Sequence, residues 1–107
     1  MEEGGGAVLL RPSGDLDLAT VEPFRAMVQA ALAKEPTALV LDLTDVTFLD
    51  SSGLAVLAVG LRSQRARGAT FAVVKPQPIV RRAIELVGLG LLFDTSQVPA
   101  GLLEGRG

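Results

Sequence analysis

Residues 38–57 read ALVLDLTDVTFLDSSGLAVL, and the order of residue types within them sets the architecture. Residues 38–43 are apolar except for Asp42, the pattern of a strand covered on both faces. After a turn the chain reaches Asp50-Ser51-Ser52-Gly53, residue types that start helices, and apolar side chains then recur at helical spacing. A second apolar run, rich in Val and Phe, occupies residues 69–74. The predicted unit is therefore strand, helix, strand, with a helix over residues 52–67 closed by Gly68 and a right-handed crossover between two interior parallel strands.

Working outward, residues 7–10 form a short apolar run stopped by Arg11-Pro12, which predicts a strand near a sheet edge because Pro has no N–H for the ladder. Thr20 is placed to cap a helix carrying Val21, Phe24, Val28, Ala31 and Leu32 and ending before Pro36. Another helix is predicted over residues 77–87, with Pro78 at its start and Gly88 as a left-handed cap. Ser96 is expected to cap a short last helix through Leu103. Alternating strands and helices imply an α/β domain with helices against a mostly parallel sheet.

The 107 residues suit one domain, and an aliphatic core is required because the only aromatic residues are four Phe. A formal net charge of −2, with neither Tyr nor Trp, argues against nucleic acid as a partner. The apolar run 53–61 is far shorter than the roughly 20 residues of a membrane-spanning helix, and the acidic start Met1-Glu2-Glu3 is unlike a signal peptide. No membrane span and a cytoplasmic protein are the expectation. With no Cys and no His, the chain has no thiol nucleophile, no Ser-His-Asp triad and no histidine-ligated metal site.

The segment LDSSGL follows an interior strand and opens a helix, the place where functional groups of parallel sheets tend to lie. Its plainest role is capping: Asp50 or Ser51 accepts N–H bonds, worth about 1 kcal/mol. Beyond the cap, Leu54, Leu57, Ala58 and Leu61 form the stripe expected to dock the helix on the sheet. That stripe leaves Val56 and Val59 on the opposite side beside Arg62 and Ser63, where either another element or a partner covers them.

The block LVLDLTDVTFLDSSGLAVL, preceded by PSGDLDLAT and followed by VVKPQPIVRRAIELVGLGLLF, closely resembles the STAS domains of bacterial anti-sigma factor antagonists over roughly residues 8–95. The resemblance implies a single STAS domain over residues 7–104, with flexible ends at 1–6 and 105–107. Its α/β fold would have a mostly parallel central sheet of four to five strands with four helices packed against it. It also implies a partner switch without a cofactor. An anti-sigma factor with serine kinase activity would bind the unmodified protein, phosphorylate Ser51 and let go, and a phosphoserine phosphatase would reset the site. Asp17, Asp50, Ser52 and Gly53 would surround the phosphosite, and Val56, Val59 and Arg62 would face the partner. The protein is then a substrate and ligand, not an enzyme, because Ser51 has no histidine or thiolate to activate it.

Other readings remain at this point. Asp42, with Asp15, Asp17 and Lys75, could form the Mg²⁺-binding phosphoacceptor site of a receiver domain, although only one strand-helix unit separates Asp42 from Lys75. The Asp15–Thr20 segment is similar to an aspartate-based phosphatase signature, with the threonine one position late, and no GxxxxGK[ST] loop is present. A STAS subunit of a stress-signalling assembly or of a lipid-transport ABC complex is a third reading. Lys75 is expected to be a strand-end charge, Arg81-Arg82 a solvated helix face, and Asp42 an acceptor for hydrogen bonds from a turn. STAS antagonists begin with a strand before the one at 7–10, yet only MEEGGG precedes it here. The edge strand is then lost or very short, and a monomer or weak dimer follows.

Overall fold

The computed structural model describes residues 2–4 and 6–104. Along the chain its elements are β1 (Glu2–Gly4), β2 (Ala7–Leu10), β3 (Gly14–Leu16), α1 (Val21–Leu32), β4 (Ala38–Asp42), β5 (Val46–Leu49), α2 (Ser51–Ala66), β6 (Thr70–Val74), α3 (Pro78–Leu86), a 3₁₀ turn (Gly90–Phe93) and α4 (Ala100–Glu104). The main sheet has the order β1-β2-β4-β6, with β2, β4 and β6 parallel and β1 antiparallel at the edge. A separate parallel pair joins β3 to β5. The central sheet thus has four strands, at the lower bound of the expectation, and the two additional strands stand outside it.

The unbroken apolar character of β4 has a direct cause, since both faces are covered. Leu39 and Leu41 point into the large core with Phe24, Val28, Leu57 and Ile84, while Val40 joins Leu9, Ala72 and Val98 on the opposite face. Two-sided burial of this kind erases the alternation that a half-exposed strand shows. The β4–β6 register, Leu39 opposite Phe71 and Val40 opposite Ala72, carries the same two-sided pattern into β6.

Four features differ from expectation. The strands β3 and β5 go unrecognised in the sequence because three and four residues containing Gly, Asp and Thr give no periodic signal. Residues 2–4, expected to belong to a flexible lead, pair with β2, and an ion pair from Lys34 to Glu3 fastens that edge. The missing strand of the resemblance is therefore present in very short form; residues 105–107 lie outside the described residues. Thr20 makes no capping bond, because its hydroxyl is turned back into the preceding turn, accepting the Asp17 amide (3.0 Å) and donating to Asp15 O, and Pro23 has no N–H to offer. Ser96 starts no helix: its amide donates to Asp94 Oδ1 at 3.0 Å, and α4 begins only at Ala100.

The end of α2 is locked by Gln64, which is fully buried with its amide satisfied. Its Nε2 donates to Pro36 O (3.1 Å) and Thr70 O (2.9 Å), and its Oε1 accepts from Arg67 (2.6 Å). A buried amide bonded to the loop before β4 and to the first residue of β6 ties the end of α2 to the start of both strands, fixing the axis along which Ser51 sits. Gly68 and Gly88 take the left-handed conformation expected of them after α2 and α3, with φ of 70° and 79°.

Candidate functional site

Ser51 is the first residue of the 16-residue helix α2, and its side chain is exposed. Asp50 is the cap: Oδ1 accepts the Ser52 amide at 2.8 Å and, more weakly, the Gly53 amide at 3.4 Å. No acidic side chain follows within the first turn of α2, so at the Ser51 hydroxyl the positive end of the helix dipole is opposed by the Asp50 carboxylate alone. The choice between capping and chemistry raised by LDSSGL resolves into two residues, Asp50 for the cap and Ser51 for an open hydroxyl.

The other half of the site is the turn after β3. Asp17 holds that turn by accepting the Ala19 and Thr20 amides, and Thr20 Oγ1 donates to Asp15 O at 2.5 Å. Asp50 joins the two halves, since its Oδ2 accepts the Leu18 amide at 3.3 Å and its own amide donates to Leu16 O at 3.2 Å. Gly53 is buried where α2 crosses the end of β3; a Cβ there would meet Leu16 O at 2.8 Å as well as the Leu49 side chain. The structure thus brings Asp17, Asp50, Ser51, Ser52 and Gly53 together at one junction.

A shallow depression of about 290 Å³ opens beside Ser51, lined by Leu54, Ala55, Ala58, Val87 and Leu89. Through Ala58 and Leu89 it continues into a wider groove bordered by Leu61, Arg62, Arg65 and Ala66. Arg62 therefore shares a concave face with Ser51. Val59, 44% exposed, lies instead at the cleft between α1 and α2, together with Val28 and Leu32. Val56, expected on the open side, is only 5% exposed and packs in the core. The reason is a rotation of the docked face: Gly53, Val56, Leu57, Gly60 and Gln64 are the buried residues of α2, and Leu54 and Leu61 sit at its margin. Two glycines and a glutamine carry no hydrophobic signal, so the apolar pattern points to a face turned away from the true one. At Gly60 the aromatic ring of Phe71 occupies the space a Cβ would need.

Comparison with known proteins places these features in a lineage. Residues 1–99 match the STAS domain. The chain belongs to the STAS domain family. An anti-sigma-F factor antagonist, RsfB, of Mycobacterium tuberculosis is 36% identical over 82% of this chain and 71% of its own length. A crystal structure of an anti-sigma factor antagonist from Mycobacterium paratuberculosis is 36% identical and superimposes with a TM-score of 0.77, covering 86% of this chain and 78% of that one. The anti-sigma factor antagonist SpoIIAA in its unphosphorylated form shares the fold at 24% identity, with a TM-score of 0.75 over 99% of this chain and 96% of its own.

Within the STAS domain, Asp42 has a structural occupation, and the receiver reading ends with the family assignment. Its Oδ1 accepts both the Thr44 amide (2.9 Å) and the Thr44 hydroxyl (2.6 Å), as expected of a carboxylate receiving a turn, and Arg11 lies 3.6 Å from Oδ2. Among the described residues no group of three or more acidic side chains is placed to hold a metal ion. Burial pushes the Asp42 carboxyl upward, but the two Thr44 hydrogen bonds and the charges of Lys75 and Arg11 outweigh it, so the group lies below the usual carboxylate value. A lowered folded-state pKa stabilises the fold above the unfolded value and loses that contribution as pH falls through the folded one. The stability difference between the wild type and Asp42→Asn in urea titrations should therefore be constant above about pH 5 and shrink below about pH 4. A difference that grew on acidification would contradict the assignment.

No helix of the described residues is long and apolar enough to cross a membrane. On α3, Arg81 lies over the Phe93 ring at 4.2 Å from its centroid and pairs with Glu85 at 3.3 Å, bracing the 3₁₀ turn that follows the groove-lining Leu89.

Proposed function

We propose that this STAS domain is an anti-sigma factor antagonist switched by phosphorylation of Ser51. Its unmodified form binds a kinase-type anti-sigma factor in the cytoplasm and so releases a sigma factor. The observation that carries the reading is the exposed Ser51 hydroxyl at the start of α2, on the rim of an apolar depression, in a chain whose relatives are named anti-sigma factor antagonists. Among the other named residues, Arg62 and Val59 belong to the contact surface, and Val56 supports it from within.

The chemistry is phosphoryl transfer from ATP held by the partner. The Ser51 Oγ–P bond forms, the bond from the γ-phosphorus to the ADP oxygen breaks, and the hydroxyl proton passes to a base of the kinase, since this chain has no histidine or thiol to take it. A phosphatase later cleaves the ester and restores the hydroxyl. At the helix start the phosphate, bearing about −1.5 to −2 charges, is favoured by the dipole by about 0.3–1 kcal/mol and opposed by the Asp50 carboxylate. The domain accommodates the modification while its surface charge reverses the fit to the partner.

Incubation with purified anti-sigma factors of the kinase class from the same organism, with ATP and Mg²⁺, should add one phosphate, mapped by mass spectrometry to Ser51. Ser51→Ala should remain unmodified. Incorporation persisting at Ser52 in that variant would sink the assignment of Ser51.

A further inference from the structure

Leu18 is 79% exposed, the most open of the large apolar side chains among the described residues. Single exposed leucines are ordinary on protein surfaces. This one differs in how it is held. Its amide donates to Asp50 Oδ2 at 3.3 Å, so the carboxylate that starts α2 also clamps the residue. On its two sides the turn is closed by Asp17, which accepts the Ala19 and Thr20 amides, and by Thr20, which donates to the Asp15 carbonyl. The turn is thereby built around an apolar side chain that the described residues leave largely exposed.

We infer that Leu18 is the apolar anchor of the partner surface around Ser51, seated in a pocket of the anti-sigma factor whose rim carries Arg or Lys. The inference rests on the function proposed above and adds the residue that gives the complex its affinity. Two observations argue for that occupant. Asp17, its neighbour in the turn, and Asp50, which holds its amide, flank the leucine on the same junction, so a partner pocket with a cationic rim is complementary and a second copy of this chain would bring carboxylates against carboxylates. The Asp50 clamp also makes the Leu18 turn continuous with the Ser51 helix start, so a partner kinase that reaches the hydroxyl meets the leucine too. The hydrogen-bonded backbone of this turn has little freedom left to lose on binding, and apolar side chains buried at the centre of an interface carry much of its affinity.

The test uses the full chain and purified kinase-class anti-sigma factors of the same organism, loaded with ADP and Mg²⁺, with affinity measured by calorimetry and dissociation by surface plasmon resonance. Leu18→Ala should raise Kd about 10- to 30-fold, mostly through faster dissociation. Leu18→Met should stay within about threefold, because it keeps the apolar volume. Both variants should melt within about 2 °C of the wild type, as expected for a side chain outside the core. If the wild type binds, Ser51→Asp weakens binding and Leu18→Ala does not, the anchor is overturned while the proposed function stands. If the wild type binds none of these partners, the function itself falls and the anchor with it. Loss of a homodimer in Leu18→Ala, with unchanged anti-sigma binding, would identify a second copy as the occupant and also overturn the inference.

Discussion

Ser51→Asp is expected to raise Kd for the anti-sigma factor at least about 100-fold while shifting the thermal midpoint by no more than about 4 °C. The two numbers differ because the charge meets different surroundings in the free and bound states. In the free protein the side chain is exposed at the positive end of α2, so the dipole and the nearby Asp50 carboxylate act in opposite directions on it. Their sum is a fraction of a kcal/mol, which moves the melting point of a domain this size by a few degrees. In the complex the same charge must be desolvated against the partner or face its carboxylates, a penalty of several kcal/mol, and each 1.4 kcal/mol is tenfold in affinity. Phosphoserine carries more charge than Asp and should weaken binding further. Calorimetric titration alongside a thermal melt checks both halves. A variant that lost binding only in proportion to a large loss of stability would show that the switch works by unfolding and not by surface charge.

Gly53→Ala carries the largest expected effect on stability, and its sign is the reverse of the usual one. In the middle of an exposed helix, exchanging Gly for Ala stabilises by about 0.5–1 kcal/mol because it removes freedom from the unfolded chain. At position 53 the new methyl would sit 2.8 Å from Leu16 O, a backbone atom of β3 that also accepts the Asp50 amide, and against the Leu49 side chain. That carbonyl cannot retreat without opening the junction between β3 and α2. A loss of about 2–3 kcal/mol follows, lowering the thermal midpoint by about 10 °C or more. Gly60→Ala is the control: the obstacle there is a side chain, the buried Phe71 ring, and not backbone. It should cost less than Gly53→Ala in urea titrations, and equal costs would mean that the β3 carbonyl is not the obstacle at position 53.

Much of the site was legible before folding was considered. The residue types at 50–53 announce a helix start capped by Asp50 or Ser51, between which the structure chooses Asp50; the lack of His and Cys removes a Ser-His-Asp triad, a thiol nucleophile and a histidine-ligated metal. The resemblance, not the spacing, singled out Ser51 as the phosphate acceptor and Asp17 as its neighbour. Three things escaped. The docked face of α2 was read one position off, placing Val56 outside, because the residues in closest contact are Gly53, Gly60 and Gln64. The β3–β5 pair was invisible because each strand is too short to repeat a pattern. Leu18 carries no mark in the sequence, because its exposure and its bond to Asp50 exist only in the folded chain.

The sequence by itself determined the succession β2, α1, β4, α2, β6, α3, the two-sided burial of β4 and β6 and the position of the helix start carrying Ser51. These depend on hydrophobic spacing and capping chemistry within a few residues of one another. Only the tertiary structure decided which side of α2 faces the sheet and how the Asp17 turn meets the Asp50 cap. Those outcomes depend on where a carbonyl, an aromatic ring and an amide from other elements come to rest, such as the Leu18 amide against Asp50. Close approach between distant segments is a matter of packing, and glycine, the residue that permits the closest approach, leaves no hydrophobic mark in the sequence.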